Sequence, residues 1–399
     1  MRVMILLLWP PSRDRMKLLI IPHSPAFDSR GYFLAKHLAE LGDEVHFLIW
    51  DPYPRDISSV KKNLSSSLKY VAYIKDGIMV HKIRRLPFFF PPINHYMFRK
   101  LISQIFKRQG LDVVISESFF NELEPRFNLP LVYDLVDHHE AYLDTYAGSV
   151  ERFGLKYILN LKKSVHDQIR HAVAVTAVSD ILVDYARNIN PTVGVYKVPN
   201  GVDSLFLKAS LERSKARFGK HSMVYVSYFG KWANLPKLIQ ATKLLERSYA
   251  DIKLVLVGDG PSILDAKKRV ARMGLSGHVN FLGHVDREEL MNIVSECEIA
   301  LSPCKKDLVR DSAFPIKIIE YTALGKKIVS SNLEEVKLLR FPNIVLYDES
   351  KGVEELVNAI ITAFNADMSE RKIRKLGYKY TWKGIAKEFH NILEGVLVK

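Results

Sequence analysis

A chain of 399 residues with 48% apolar content is too long for one ordinary domain and predicts two or three globular units with sizeable cores, two being the simplest count. No uninterrupted apolar run reaches the roughly 18 residues of a membrane span, so no transmembrane helix is expected. A formal net charge of +14, shared fairly evenly between the halves, favours anionic partners: phosphate-bearing ligands, membrane headgroups or nucleic acid. It does not choose among them. The two cysteines, Cys297 and Cys304, form no paired framework and no metal-like spacing, which suits a reducing compartment and predicts a cytoplasmic location.

In chain order, "MRVMILLLWPPSRDR" has a short apolar run, two prolines and no small-residue cleavage site, so it does not read as a secretory signal. A first strand starts afresh after Met16, and residues 1–15 read as a leader outside the fold. "KLLIIP", "EVHFLIW", "DVVIS" and "PLVYDLVD" are the clearest early strands, continued by "HAVAVTAVS" and "GVYKVPNGVD". "HSMVYVSYFG", "DIKLVLVGDG", "HVNFLG", "EIALSPC" and "KKIVSSN" form a second series. Apolar strands alternating with helical patterns predict parallel sheets flanked by helices, and two series predict two doubly wound domains. The turn-forming Asn-Gly of "VPNGVD" places the boundary near residues 198–203, giving an N-terminal domain over 16–199 and a C-terminal domain over 200–380. Residues 381–399 read as a long amphipathic helix; its pattern does not give its destination, for which the N-terminal domain is the expectation.

"AFPIKIIEYTALGKKIV" reads as a helix from Pro315, ended by Gly325 and followed by a strand. Its periodicity puts Ile316, Ile319, Glu320, Ala323 and Leu324 on one face. A carboxylate on an apolar face needs a basic side chain, backbone donors or a ligand. "DSRGY" places Gly31 at the start of a helix, where free N–H groups and the dipole favour phosphate. For Gly258 in "VGDGP", close approach to a ligand and an ordinary strand-to-helix turn both fit. "DLVDHHEAY" holds ligand-type residues, but adjacent histidines at a strand end diverge and no second cluster completes a metal sphere, so no metal is expected. Residues 77–111 contain no acidic residue; Lys82, Arg84, Arg85, Arg99, Lys100, Lys107 and Arg108 alternate with "FFF" and a helix pattern. That mixture suits an anionic lipid surface, and equally a solvated basic face. A second acid-free run, 371–387, reads as a charged helix surface.

Seven ordered segments carry a resemblance: "VTAVSDILVDYA", "KVPNGVDSLF", "YFGKW", "IKLVLVGDGP", "VNFLGHVDREEL", "IALSPC" and "FPIKIIEYTALGKKIVSS". Together the chain resembles the retaining, nucleotide-sugar-dependent glycosyltransferases of family 4, glycosyl transferases group 1. The resemblance implies the GT-B fold, an α/β architecture of two Rossmann-like domains facing an interdomain cleft. It implies that Glu320 is the second acid of the family's E-x7-E motif and binds the ribose hydroxyls of the donor. Ser312 stands where the first Glu is usual. Lys231, after Gly230, takes the place of the first pyrophosphate-binding cation, and Asn234 that of the second, leaving Lys237, Lys305, Lys306 or Lys317 to supply the missing charge. Gly31 corresponds to the glycine lying against the donor diphosphate, and backbone around Leu282 to Val285 to the base contacts. The family's sugar-contacting His aligns with Val136, so Asp137, His138 and His139 are candidates by proximity.

The implied donor-binding set is therefore Gly31, Gly230, Lys231, Gly258, Leu282, Val285, Ser312, Phe314, Pro315, Lys317 and Glu320; the catalytic set is Asp137, His138, His139 and Lys231. The implied activity is that of a glycosyltransferase of hexosyltransferase type that moves a sugar from a nucleoside diphosphate to a lipid-linked or saccharide acceptor. No cofactor, metal or nucleic-acid partner is expected, and the inner membrane face is the expected peripheral location. Two rivals stand beside it: a catalytically impaired nucleotide-sugar-binding subunit, suggested by Ser312 and Asn234, and a nucleotide-sugar epimerase on the same fold.

Overall fold

The computed structural model describes residues 15–50, 70–83, 96, 99–100, 102–105, 107, 109–118, 129–145, 156, 160–208 and 217–397. They divide into two compact units: residues up to 177 with 183–196 and 386–399, and residues 178–182 with 197–385. Residues 1–14 of the expected leader lie outside the described residues; Arg15 is described and its Nη2 lies 3.5 Å from Glu44 Oε2.

The first unit is built on an eight-stranded sheet of order β3-β4-β2-β1-β5-β6-β7-β8. Its strands are β1 (Lys17–Ile21), β2 (Glu44–Trp50), β3 (Tyr70–Lys75), β4 (Ile78–Ile83), β5 (Val113–Ser116), β6 (Leu131–Leu135), β7 (Ala174–Ala177) and β8 (Gly194–Lys197). The expected sheet is parallel throughout; the observed one carries an antiparallel hairpin, β3 on β4, at its edge. Asp76 (φ 49°) and Gly77 (φ 76°) make the tight turn, since a two-residue hairpin needs left-handed backbone that Asp-Gly adopts at little cost. Strands β1, β2, β5 and β6 are buried along nearly their whole length, as expected of strands covered on both faces. Helix α1 (Arg30–Leu41) follows β1, with Ser29 as its N-cap, and a short helix α2 (His139–Thr145) follows β6.

The second unit holds a six-stranded sheet, β11-β10-β9-β12-β13-β14, in which every pairing is parallel. Its strands are β9 (Ser222–Val226), β10 (Lys253–Val257), β11 (Val279–Gly283), β12 (Ile299–Ser302), β13 (Lys327–Ser331) and β14 (Ile344–Tyr347). Helices α3 (Leu235–Leu245), α4 (Ile263–Arg272), α5 (Arg287–Glu296), α6 (Leu308–Ser312) and α7 (Ile316–Ala323) connect them. Leu238, Ile239, Leu254, Leu256, Leu301 and Ile360 are among the fully buried apolar residues of its core. The C-terminal helix α8 (Trp382–Leu397) starts in the second unit and continues, from Ala386, in the first, where His390 Nδ1 lies 2.8 Å from Asp43 Oδ2.

In each sheet the strand order reverses once, between β1 and β5 and between β9 and β12. Loops leaving the carboxyl ends of strands diverge at such a point and open a crevice for ligands. The chemistry-bearing residues are found there.

Candidate functional site

In the second unit, β9 runs into Ser227–Gly230 and a short 3-10 turn, Lys231–Ala233. The backbone is clamped by Phe229 N–H donating to Asp259 C=O at 2.8 Å and Ser262 N–H donating to Phe229 C=O at 3.0 Å. Gly258 answers the open question about "VGDGP" in favour of the turn: its φ is 122°, and a Cβ there would stand 2.0 Å from Ser227 O. Packing against the β9 loop accounts for this glycine. Gly230 is likewise explained by Trp232, whose ring would lie 2.5 Å from an added Cβ.

Helix α7 is latched to the same loop. Val226 N–H donates to Tyr321 Oη at 3.1 Å, and Lys317 Nζ donates to Ser227 Oγ at 3.1 Å. The Lys317 ammonium lies 5.7 Å from the Tyr225 ring centroid, and burial, followed by the nearby Arg310 charge, pulls its pKa down to about 8. Arg310 itself stands over the Trp232 ring at 4.8 Å. Ile318, Ile319, Tyr321, Thr322 and Ala323 are buried, whereas Ile316 is 38% exposed. The face is therefore not the expected one: Glu320 shares the helix's accessible side with Ile316 and Lys317. The opposite sides are filled by the sheet and by the helix Glu370–Gly377, where a Cβ on Gly377 would meet Ala323 at 3.1 Å.

Glu320 has a protein cation beside it, Arg287 Nη2 at 3.2 Å from Oε1, and its side chain keeps 17% of its exposure. Arg287, at the start of α5, also lies over the Phe206 ring at 5.6 Å. Glu320 is thus a braced and partly accessible carboxylate. Leu282 and Val285, half-buried, flank the end of β11.

Ser312 is corrected: it is fully buried, and its hydroxyl donates to Val309 C=O at 3.1 Å inside α6, so it points into the helix and not toward a sugar. Phe314 is buried against Tyr380, with ring centroids 5.6 Å apart, and Pro315 caps α7; both shape the helix entry. Asn234 occupies left-handed backbone (φ 49°), and its Nδ2 donates to Glu349 Oε1 at 2.6 Å. Lys237 donates to the carbonyls of Glu349 and Lys351, at 2.6 and 2.7 Å, and Lys306 lies 2.7 Å from Glu334 Oε1. Of the cations weighed as replacements for Asn234, Lys317 is the one on the accessible side of α7, while Lys305 borders a neighbouring cavity together with Lys231, the residue in the place of the first cation.

In the first unit, Gly31 sits buried in the opening turn of α1. A Cβ on it would meet Glu117 Oε1 and Pro22 Cβ, both at 3.0 Å. Glu117, just past β5, is a functional-type residue that no sequence pattern marks. Its Oε2 accepts from His23 N–H at 2.9 Å, while Oε1 is buried with no hydrogen-bond partner among the described residues. Burial, then the charge of Asp134, pushes this carboxyl up to about 8. Next to it Arg30 forms a buried two-point pair with Asp134, Nε to Oδ2 at 2.8 Å and Nη2 to Oδ1 at 3.1 Å. His139 stacks on His23, with centroids 5.4 Å apart, while His138 turns to Tyr185 at 4.5 Å. Burial lowers the pKa of both histidines, well below the usual value for His139. Asp137 accepts from His139 N–H at 3.1 Å through its carbonyl. Among the described residues no group of three or more His, Cys, Asp or Glu is placed to hold a metal ion.

Of the basic stretch 77–111, Arg84, Arg85, Arg108 and the "FFF" run lie outside the described residues, and among the described ones no helix is long and apolar enough to cross a membrane. The run 371–387 is not wholly a charged surface: Arg374 is buried and its Nη2 donates to Leu207 C=O at 2.8 Å.

Comparison with known proteins agrees with this layout. Residues 209–380 match the family described as "Glycosyl transferases group 1". The chain is 21% identical over 390 residues to a phosphatidylinositol N-acetylglucosaminyltransferase subunit of Arabidopsis thaliana, covering 94% of this chain and 80% of that one. It is 23% identical over 311 residues to N-acetyl-alpha-D-glucosaminyl L-malate synthase of Bacillus anthracis, covering 74% and 72%. Among solved structures, sucrose-phosphate synthase from Thermosynechococcus elongatus superposes with a TM-score of 0.71 at 15% identity, over 96% of this chain and all of that one. Anabaena HepE, solved in complex with UDP-glucose, superposes with a TM-score of 0.69 at 16% identity, over 96% and 100%. The fold is GT-B, with two Rossmann-like units.

Proposed function

We propose that this chain, a glycosyltransferase carrying a group 1 domain over residues 209–380, moves a sugar from a nucleoside diphosphate to a lipid-linked or saccharide acceptor with retention of anomeric configuration. One observation carries the reading: Lys317 and Glu320 lie one turn apart on the accessible side of α7, at the reversal point between β9 and β12. A ribose offers hydroxyl donors to the carboxylate, and the neighbouring diphosphate offers oxygens to the ammonium. The spacing fits a nucleotide read from sugar to phosphate. Arg287 holds Glu320 in a fixed orientation, which removes rotamer freedom before the ligand arrives.

Departure of a nucleoside diphosphate builds negative charge on the leaving oxygens and positive charge on the sugar. Lys317, held by Ser227, is a fixed cation for the leaving group, and Lys231 is proposed to add a second; such charges lower that barrier. The departing phosphate takes up the acceptor proton, so no separate protein base is required. Asp137, His138 and His139, at the carboxyl end of β6, are the groups of the first unit proposed to address the sugar and acceptor. Similar structures solved with UDP or UDP-glucose support the donor class, and a relative named for phosphatidylinositol supports the lipid acceptor. A lipid acceptor would place the site at a membrane surface, and the cytoplasmic face is part of the same proposal.

Replacing Glu320 with Gln keeps the shape and removes the charge. Donor KM is expected to rise, or kcat to fall, by about tenfold or more, the size of one charge-assisted hydrogen bond. Wild-type kinetics in that variant would remove the carboxylate from the donor site. A second reading, an impaired binding subunit, is favoured by Ser312 being sealed in α6 and Asn234 being tied to Glu349. Stabilisation by nucleotide sugars without sugar transfer to any of a broad acceptor panel would establish it.

A further inference from the structure

A cavity of about 430 Å³ lies wholly in the second unit, between the 3-10 turn after β9, the start of α3, and α4. Five cations border it, Lys231, Lys268, Arg269, Arg272 and Lys305, against a single carboxylate, Asp265. None of the five side chains has a hydrogen bond or ion pair among the described residues. In the same unit Lys197, Lys306 and Lys327 each stand against a carboxylate.

Arg269 and Arg272 lie in the last turn of α4, where positive charge complements the helix dipole. Lys231 and Lys305 have no such reason. They come from the loops after β9 and β12, and the two loops are tied together by Lys305 N–H donating to Trp232 C=O at 2.9 Å. Three separate segments thus bring like charges to one concavity, which disfavours the empty state by mutual repulsion. An anion would relieve it. Of its apolar lining Leu235, Ile239 and Ala266 belong to the buried core, and Pro236 is exposed. Guanidinium forks fit phosphate oxygens in pairs, and the volume suits a small organic molecule.

We propose that this cavity is a second ligand site, separate from the donor site on α7, and that it takes the phosphate or diphosphate group of an ester, with Pro236 as the exposed apolar side chain at its edge. Lys231 stands at its boundary with the donor region, and the cations of α4 are its own. Soluble esters and lipid headgroups share this chemistry, so the test separates the two sources.

The full chain and a K268A/R272A double variant would be compared by thermal shift with pyrophosphate and, separately, with a nucleoside diphosphate. Sedimentation with phosphatidic acid vesicles against phosphatidylcholine vesicles forms the lipid arm. Both substituted residues are exposed, so the variant is expected to fold. The expected result is a response to pyrophosphate weakened about tenfold in the variant, with the nucleotide response unchanged. Binding to phosphatidic acid that the variant loses, without a pyrophosphate response, would assign the site to a lipid headgroup. Equal responses of both proteins, or no response of the full chain to either probe, would overturn the site. Loss of the pyrophosphate and nucleotide responses together would overturn its separateness from the donor site. A variant-sensitive pyrophosphate response in a chain that ignores nucleotides would uphold the cavity while sinking the donor reading.

Discussion

Lys317 is a cation held where water cannot fully solvate it. Its ammonium has Ser227 Oγ and the Tyr225 ring as neighbours, and its pKa is drawn down to about 8. Below that pH it is charged and can meet a diphosphate; above it the charge is lost. Donor affinity should therefore be flat at neutral pH and fall as pH rises through about 8, by up to about tenfold per unit, read as donor KM against pH. In Lys317→Arg the guanidinium stays charged, so the break at about 8 should vanish. A break unchanged in the variant would assign it elsewhere. Glu117 shows the opposite ionisation: desolvated beside Gly31, its carboxyl holds its proton up to about 8. At neutral pH the opening turn of α1 is thus spared a negative charge that would repel phosphate.

At the scale of elements, strands are legible in the sequence wherever a short Val, Ile and Leu run stands between turn signals, as β1, β2, β10 and β13 show. The β3–β4 hairpin escapes that reading although Asp76-Gly77 is a strong turn pair, because β3 is largely exposed and lacks the dense apolar run of a covered strand. β14, four residues and mostly half exposed, escapes for the same reason. In the site, Lys317 and Glu320 stand out as charges inside an apolar helix. Arg287 and Glu117 do not, since their partners are brought together by the fold: 33 residues separate Arg287 from Glu320, and 94 separate His23 from Glu117. The turn after β10 gives a direct test of packing. Gly258→Ala would force a Cβ against Ser227 O in left-handed backbone and should cost about 3 kcal/mol or more in chemical denaturation. Gly42→Ala, at φ 110° with nothing within 4 Å, carries the backbone strain alone and should cost only about 1 kcal/mol. Similar losses at both sites would refute the close approach.

Across the whole molecule, the buried histidines of the described residues are concentrated in the first unit. His46 Nδ1 lies 2.8 Å from His81 Nε2, and Tyr70 Oη lies 2.7 Å from His81 Nδ1. Burial, then the neighbouring His46, brings His81 down to about 3, and burial also lowers His46, His138 and His139. Unfolded, each would take up a proton near 6.5, so the unfolded state binds more protons below that pH. The stability these groups provide is complete above about 6.5 and is lost as pH falls toward about 3, at up to roughly 1.4 kcal/mol per pH unit for each fully resisting group. The first unit should therefore yield before the second on acidification from about pH 7 to about pH 4, read by hydrogen exchange of β2 and β4 against β9 and β10. Simultaneous loss of protection in both sheets would count against this ordering.

Cys297 and Cys304 are both in the second unit, only 2% and 9% exposed, and burial pushes their thiols up to about 12 and about 11. A sulfhydryl reagent therefore meets neither a thiolate nor an open path while that half stays closed. Alkylation rates time its breathing alone, with no engineered label and no signal from the other sheet.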